Sequence, residues 1–341
     1  MNESTDGSAD RLRVSLVVPV RDEAASVDEL LAGVAAQTLR PDEIVFVDGG
    51  SRDDTVARLR AACAGDHSIR VVEAGDATPG RGRNVGIAAA RHDWLALTDA
   101  GTRPEPDWLA RLVGVARRDP AASVVYGNFE PFADTFFERC AALAYVPPKQ
   151  GRAGAFVRGP SIASALLRRE AWERVGGFPD LRAAEDLVFM SAVERAGFKI
   201  AWSPRATVWW RLRPTLASTY AKFTLYSLHN VRAGLARHWH YGVARQYAAA
   251  LVFVALAFAH SAWWLVVPAL GLAARAARSI WRRREGRGLR WALNPAQFAL
   301  VLLIILTIDL ATFVGWAQAL FQRRPRAARE VDAHAARKSE S

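Results

Sequence analysis

Between residues 12 and 210, apolar runs of strand length alternate with segments whose apolar residues recur at helical spacing. The run LRVSLVVPV over 12–20 predicts a buried strand. Val27, Leu30, Leu31, Val34 and Ala35 then share one face of a helix over 26–37. The same strand-then-helix unit recurs at 43–48 with 53–64, at 69–73 with 82–91, and at 94–99 with 106–117. Four such units predict an α/β fold, with a mostly parallel sheet flanked by helices on both faces. Further strands are expected at 123–128, 161–168, 199–202 and 207–210, and helices at 170–175 and 184–196. Regularity fails over 129–155, where Pro131, Pro147, Pro148, Gly151 and Gly154 punctuate an aromatic stretch. That segment reads as a lid or acceptor loop, or equally as a surface excursion covering a sheet edge.

Beyond 213 the pattern changes. Residues 216–237 mix apolar, aromatic and basic side chains at helical spacing, which suits a helix lying in a bilayer interface. Two stretches, 247–274 and 296–321, are apolar and long enough to cross a bilayer. The chain thus divides into a polar lead-in (1–11), an α/β domain (12–213), an interfacial region (214–245), a membrane region (246–322) and a basic tail (323–341). Topology stays open. With the α/β domain in the cytosol and two simple crossings, the arginine-rich connector ARSIWRRREGRGLR falls outside, against the positive-inside rule. A hairpin with its tip at His260-Ser261 returns the connector to the cytosol, but its arms are then short for a full crossing and the tail ends outside.

Charge sharpens this picture. From Gln246 onward there are 13 Lys and Arg against 5 Asp and Glu, so most of the net charge of +11 lies in the C-terminal part. Basic residues flanking apolar stretches favour anionic lipid over nucleic acid as the partner. Cys63 and Cys140 are too few for a metal site of their own and read as reduced, buried thiols. No secretory signal is read at the start of the sequence, so the α/β domain is expected in the cytosol, at the inner membrane.

The candidate chemistry sits where the predicted strands end. In an open α/β sheet those ends face one crevice, so acids carried there by different strands meet one ligand. Asp22 and Glu23 follow the first strand. Asp48 closes the second, in Asp48-Gly49-Gly50-Ser51, with Asp53 placed to cap the next helix and Asp48 left free to bind. By itself such a turn is also an ordinary strand-to-helix connection. Residues 79–86, PGRGRNVG, form a glycine-rich, doubly basic loop suited to a diphosphate or simply to solvent. Asp99 ends the WLALTD strand, and Glu185-Asp186 opens a helix, where acids also favour the helix dipole without further purpose.

This ordered set resembles the family 2 glycosyltransferases of the GT-A fold. VPVRDE is similar to the family's VPxYNE strand end, VDGGSRDDT to its VDDGSxDxT turn, GRGRNVGIAAA to its GxxxARNxG segment, and GGFPDLRAAEDLVF to its GGFxxxxxxEDxD/E stretch. The resemblance covers about residues 12–210. It implies that Pro19, Glu23 and Asp48 hold the base and ribose of a nucleotide-sugar donor, with Arg83 near the phosphates. It also implies that Asp99 is the first acid of a DxD motif that grips Mg²⁺ or Mn²⁺, and that Asp186, beside Glu185, is the general base. Here the motif reads Asp99-Ala100-Gly101, so the second acid is missing and the expected metal dependence is weak. The QxxRW motif of processive synthases is absent, and Trp209-Trp210-Arg211-Leu212-Arg213 stands in that region. Single-sugar transfer is therefore expected over polymerisation, and the membrane attachment suggests a lipid or lipid-linked acceptor. The rivals are a nucleotidyltransferase, for which the missing acid is a handicap, and a membrane-attached binding module without turnover.

Overall fold

The computed structural model describes residues 11–152 and 154–321. The lead-in before Arg11 and the basic tail over 323–341 lie outside the described residues. The chain forms two compact units, one of residues up to Pro131 with Lys149–Arg211, the other of Phe132–Pro148 with residues from Leu212 onward.

The first unit contains, in chain order, β1 (Val14–Val20), α1 (Val27–Ala35), β2 (Glu43–Asp48), α2 (Thr55–Gly65), β3 (Ile69–Glu73), α3 (Pro79–Ala89), β4 (Trp94–Leu97), β5 (Thr102–Pro104), α4 (Trp108–Arg118) and β6 (Val124–Phe132). The chain then passes through α5 (Phe136–Tyr145) of the second unit. It returns as β7 (Gln150–Arg152), β8 (Ala155–Val157), β9 (Ala165–Arg168), α6 (Arg169–Arg174), α7 (Glu185–Arg195) and β10 (Ile200–Arg211).

Eight strands make one sheet in the order β3-β2-β1-β4-β9-β6-β10-β5. Its first four strands are parallel, as the repeating units predict. The second half begins with β9 antiparallel to β4, and β6 pairs antiparallel with β9, so the whole sheet is mixed. Successive strand residues alternate between two cores. Leu16, Val18, Ile44 and Phe46 pack with α1, α2 and α4. Val17, Val45, Val47, Leu95 and Leu97 pack with α3, α6 and α7. Between β1 and β4 the strand order reverses, and the crevice at the carboxyl ends of such strands is where α/β sheets bind ligands.

Several expectations need correction. The segment 129–155 is not an irregular loop. β6 runs on to Phe132, a capping box between Thr135 and Glu138 starts α5, and β7 pairs with β8 as a hairpin. Pro131 and Gly151 lie within strands, and Pro147 and Pro148 follow the end of α5. The glycine-rich 79–86 segment is not a loop either but the first turns of α3, since Thr78 caps it and Pro79 takes the first helical position. The two strands predicted near 200 and 209 are one strand, β10, which carries Pro204 internally. Ile162–Ser164 form a 3₁₀ turn, capped by Ser161, ahead of the short β9. The three-residue β5 has no periodicity to betray it.

The second unit continues with α8 (Leu216–Arg232), α9 (Ala236–Ala259), α10 (Val266–Arg282), the short α11 (Leu289–Ala292) and α12 (Pro295–Phe321). Among the described residues, two helical spans, Trp239–Ala259 and Pro295–Phe321, are long and apolar enough to cross a membrane. The apolar stretch 247–274 is not one helix, because it breaks at His260-Ser261 and a 3₁₀ turn over Ala262–Leu265 leads into α10. α12 lies along α8, and Gly315 lets the two backbones approach, since an added Cβ there would stand 2.3 Å from the Thr224 carbonyl oxygen. Asp309 of α12 is buried and ionically satisfied. It accepts from Arg275 at 2.6 and 3.0 Å and from the Tyr247 hydroxyl at 2.9 Å. A carboxylate in an apolar bundle requires such partners.

Candidate active site

The site grows from the ends of β1, β2 and β4 and the starts of α3 and α7. Register aligns Val17 with Leu97 and Val20 with Asp48, so the turns holding Glu23, Asp48 and Asp99 meet at one edge of the sheet.

Asp48 is 4% exposed, and its carboxylate is engaged by its own turn rather than free. It accepts the Gly50 N–H at 3.0 Å and the Ser51 N–H at 3.1 Å. Gly50 needs its positive φ of 83° for this turn. A carboxylate offers about four acceptor positions, which leaves capacity for ligand hydroxyls. The β1 and β2 turns are tied together. Asp22 receives the Arg52 N–H at 2.8 Å, Asp53 the Ala24 N–H at 3.0 Å, and Glu23 donates its N–H to Thr55 Oγ1 at 2.8 Å. Asp53 also accepts the Thr55 N–H at 3.0 Å at the start of α2. Pro19 lies against α3, 3.3 Å from where a Cβ on Gly82 would stand.

Arg83 organises the rest. Its guanidinium is buried, with one terminal nitrogen 2.6 Å from Asp99 and the other 2.7 Å from Glu185. It also stands over the Phe178 ring at 5.5 Å. Burial works against its charge, but the Asp99 and Glu185 carboxylates outweigh this and raise its pKa above the usual arginine value. Arg83 is thus a tie between Asp99, just beyond the end of β4, and Glu185 at the start of α7. α3 can deliver it because its glycines permit close approach. A Cβ on Gly86 would meet Val17 at 2.4 Å, and one on Gly80 would meet the Pro179 carbonyl at 2.1 Å.

Glu185 and Asp186 open α7 behind Ala184, which has a φ of 67°. Burial pushes the Glu185 carboxyl up, Arg83 pulls it down, and the net shift is upward. Asp186 keeps part of its surface exposed, yet protein encloses its carboxylate enough for burial to dominate. Its pKa is likewise raised, with Arg83 lowering it and Asp99 raising it. The strand-end acid Asp99 and the helix-start pair are therefore brought into one electrostatic cluster.

The donor set does not fit a protein-held divalent cation. Asp99 is already paired with Arg83, Gly101 supplies no ligand, and the described residues contain no group of three or more candidate metal-binding side chains. An ion there would take most of its ligands from substrate and water.

Asn84 is a site residue to which sequence reasoning gave no role. Its Oδ1 accepts from Trp172 Nε1 at 2.9 Å and from the Phe178 N–H at 2.8 Å, and its Nδ2 donates to the Phe178 carbonyl at 2.7 Å. It thereby fixes the Gly176-Gly177-Phe178 turn that leads towards α7. The adjacency of Arg83 and Asn84 was the available signal.

Residues 15–174 match the family model described as "Glycosyl transferase family 2". The O-antigen chain rhamnosyltransferase RfbN of Salmonella typhimurium is 24% identical over 209 residues, covering 58% of this chain and 66% of that one. The glycosyltransferase AglE of Haloferax volcanii is 27% identical over 197 residues, covering 56% of this chain and 64% of that one. This chain thus spans just under two thirds of each of those relatives. The mannosyltransferase PcManGT of Pyrobaculum calidifontis, solved with GDP-Man and Mn²⁺, superposes with a TM-score of 0.56 at 20% identity. That match covers 92% of this chain and 88% of the other, and it is a likeness of fold. The fold is the GT-A fold expected from the strand-end motifs, and residues 15–174 are similar to glycosyl transferase family 2.

Proposed function

We propose that the protein is a membrane-attached, inverting glycosyltransferase that moves one sugar from a nucleotide-sugar donor to an acceptor hydroxyl. The observation that carries this reading is the cluster in which Arg83 joins Asp99 to Glu185, with Asp186 adjoining it. Pro19, Glu23 and Asp48 line the base and ribose side of the crevice, and Asp99 faces the ribose and diphosphate. Asp186 takes the acceptor's hydroxyl proton. The acceptor oxygen forms its bond to the anomeric carbon as the bond from that carbon to the diphosphate breaks, and the electron pair leaves with the nucleoside diphosphate. The upward shift of the Asp186 carboxyl makes it a stronger base than an ordinary aspartate. Direct displacement needs one base and no covalent intermediate. Glu185 is a positioning residue that holds Arg83.

Dependence on Mg²⁺ or Mn²⁺ is weak in this reading, because the chain supplies one acid where the family motif has two. Two long apolar helices support attachment to the inner membrane and a lipid or lipid-linked acceptor, with the catalytic unit in the cytosol. Transfer of a single sugar agrees with the missing QxxRW motif. The test is turnover and binding of UDP-, GDP- and dTDP-sugars by detergent-solubilised protein, with Mn²⁺, Mg²⁺ or EDTA. One donor should be hydrolysed slowly, with activity persisting in EDTA. Folded protein that binds none of the donors contradicts the reading.

A further inference from the structure

We infer that α9 and α10 form a hairpin that enters the bilayer from the catalytic side and returns to it, leaving the basic connector 282–290 on the catalytic side of the membrane. The inference rests on the membrane attachment proposed above.

The reference point is α5. Residues Phe132–Pro148 leave the first unit after Pro131 and rejoin it at Lys149. Within them α5 has 10 residues, about 15 Å of helix, against a hydrocarbon core of about 30 Å. This excursion cannot cross the membrane and come back, so α5 stays on the catalytic side.

Both ends of the α9–α10 pair are tied to the carboxyl end of α5. At the α9 end, Tyr145 of α5 packs edge-on against Phe223 of α8 at 5.0 Å, and Phe223 against Trp239 in the first turns of α9 at 5.9 Å. His240 follows, 2.8 Å from the Ser227 hydroxyl of α8. At the α10 end, Ser279 donates to the Leu143 carbonyl at 2.8 Å, and Arg283 donates to the Val146 carbonyl. The path that leaves at Trp239 therefore returns at Arg283 to the place it left.

The far end of this path is built for lipid. None of the apolar window within Trp239–Ala259 is buried by protein, and at the break Phe258 is 90% and Trp263 81% exposed. The near end is built for a headgroup layer. Arg284 lies over Trp281 at 3.3 Å and Arg287 over Trp291 at 4.6 Å, the pairing of basic and aromatic groups that membrane interfaces favour. The hairpin returns the connector, with Arg282, Arg283, Arg284, Arg287 and Arg290, to the catalytic side, which the positive-inside rule favours for that segment.

The test is cysteine labelling of the full chain in sealed vesicles, using a membrane-impermeant maleimide in a Cys63→Ala, Cys140→Ala background. Gly65→Cys at the end of α2 reports the catalytic side, Gly288→Cys the connector and Ser261→Cys the tip; the two glycines have open space around them. Gly288→Cys should label from the same face as Gly65→Cys and as fully, while Ser261→Cys should label only after detergent. Labelling of Gly288→Cys from the opposite face alone would overturn the hairpin. So would labelling of Ser261→Cys from the catalytic face, which places the tip in water or against a second copy. The wild-type chain gives an independent measurement. Trypsin added on the catalytic side should cut within 282–290, and protection there until the vesicles are opened contradicts the proposal. Release of the wild-type protein by alkaline carbonate would show that the membrane reading itself fails, a result distinct from labelling on the wrong face.

Discussion

Arg83 Nη1 donates to Glu185 Oε1 at 2.7 Å, a buried ion pair between residues 102 positions apart in sequence. It fastens the start of α7 to α3, and the same guanidinium reaches Asp99, so the acids of two separate elements share one cation.

Removing that cation strands a buried acid. Arg83→Met should destabilise the protein by about 3–5 kcal/mol at neutral pH, the usual result of breaking a buried pair. Because the Glu185 pKa is already raised, its protonation in acid should shrink the loss. Urea denaturation at pH 5 and pH 8 checks this, and Arg83→Lys should recover only part, since an ammonium cannot grip both acids in fork geometry.

The raised carboxyls set signs for the wild-type protein. Glu185 and Asp186 titrate higher when folded, so their contribution to stability is fully present below the ordinary carboxylate values and fades as pH rises through the folded ones. Activity runs the other way, because Asp186 must be ionised to accept a proton. The acid limb of kcat/KM against pH should therefore lie above 3.8, the ordinary aspartate value. In a pH–rate profile, Asp99→Asn should move the limb down and Arg83→Met should move it up.

Gly101 has room for a side chain, the nearest atom to an added Cβ being Glu23 Oε1 at 4.0 Å. Gly101→Asp would place a second carboxylate near Asp99 and Glu23, a set that favours a hard cation. Calorimetry of nucleoside diphosphate binding should show little response to EDTA in the wild type. In the variant, Mn²⁺ should strengthen binding about tenfold, or about 1.4 kcal/mol.

In the apolar bundle, Asp309→Leu or Arg275→Leu alone should each cost about 3–5 kcal/mol, because either leaves an uncompensated charge. The double replacement should come much closer to the wild type. Thermal unfolding in detergent measures the cycle, and additive losses would show that the pair is not coupled.

The sequence exposed those parts of the fold that have a period or a signature. The parallel half of the sheet came from strand and helix spacing, and the crevice from acids that close apolar runs. What stayed hidden depends on distant partners. Arg83 reads as a phosphate ligand until Asp99 and Glu185 are seen around it. Asp48 looks free until its own turn claims the carboxylate. α5 was concealed by flanking prolines, although its Thr135–Glu138 capping box is written in the sequence. Asn84 shows why two separated motifs belong together, since its amide bonds the main chain of Phe178.

The central claim is that Asp186 removes the acceptor's proton. The direct measurement pairs donor affinity with turnover in Asp186→Asn, using the nucleotide sugar that the wild type accepts. Donor affinity should stay within a few-fold of the wild type, while kcat should fall by about 10² to 10⁴, the usual contribution of a general base. Turnover that survives the substitution, with the acid limb of the pH profile unmoved, would contradict the account.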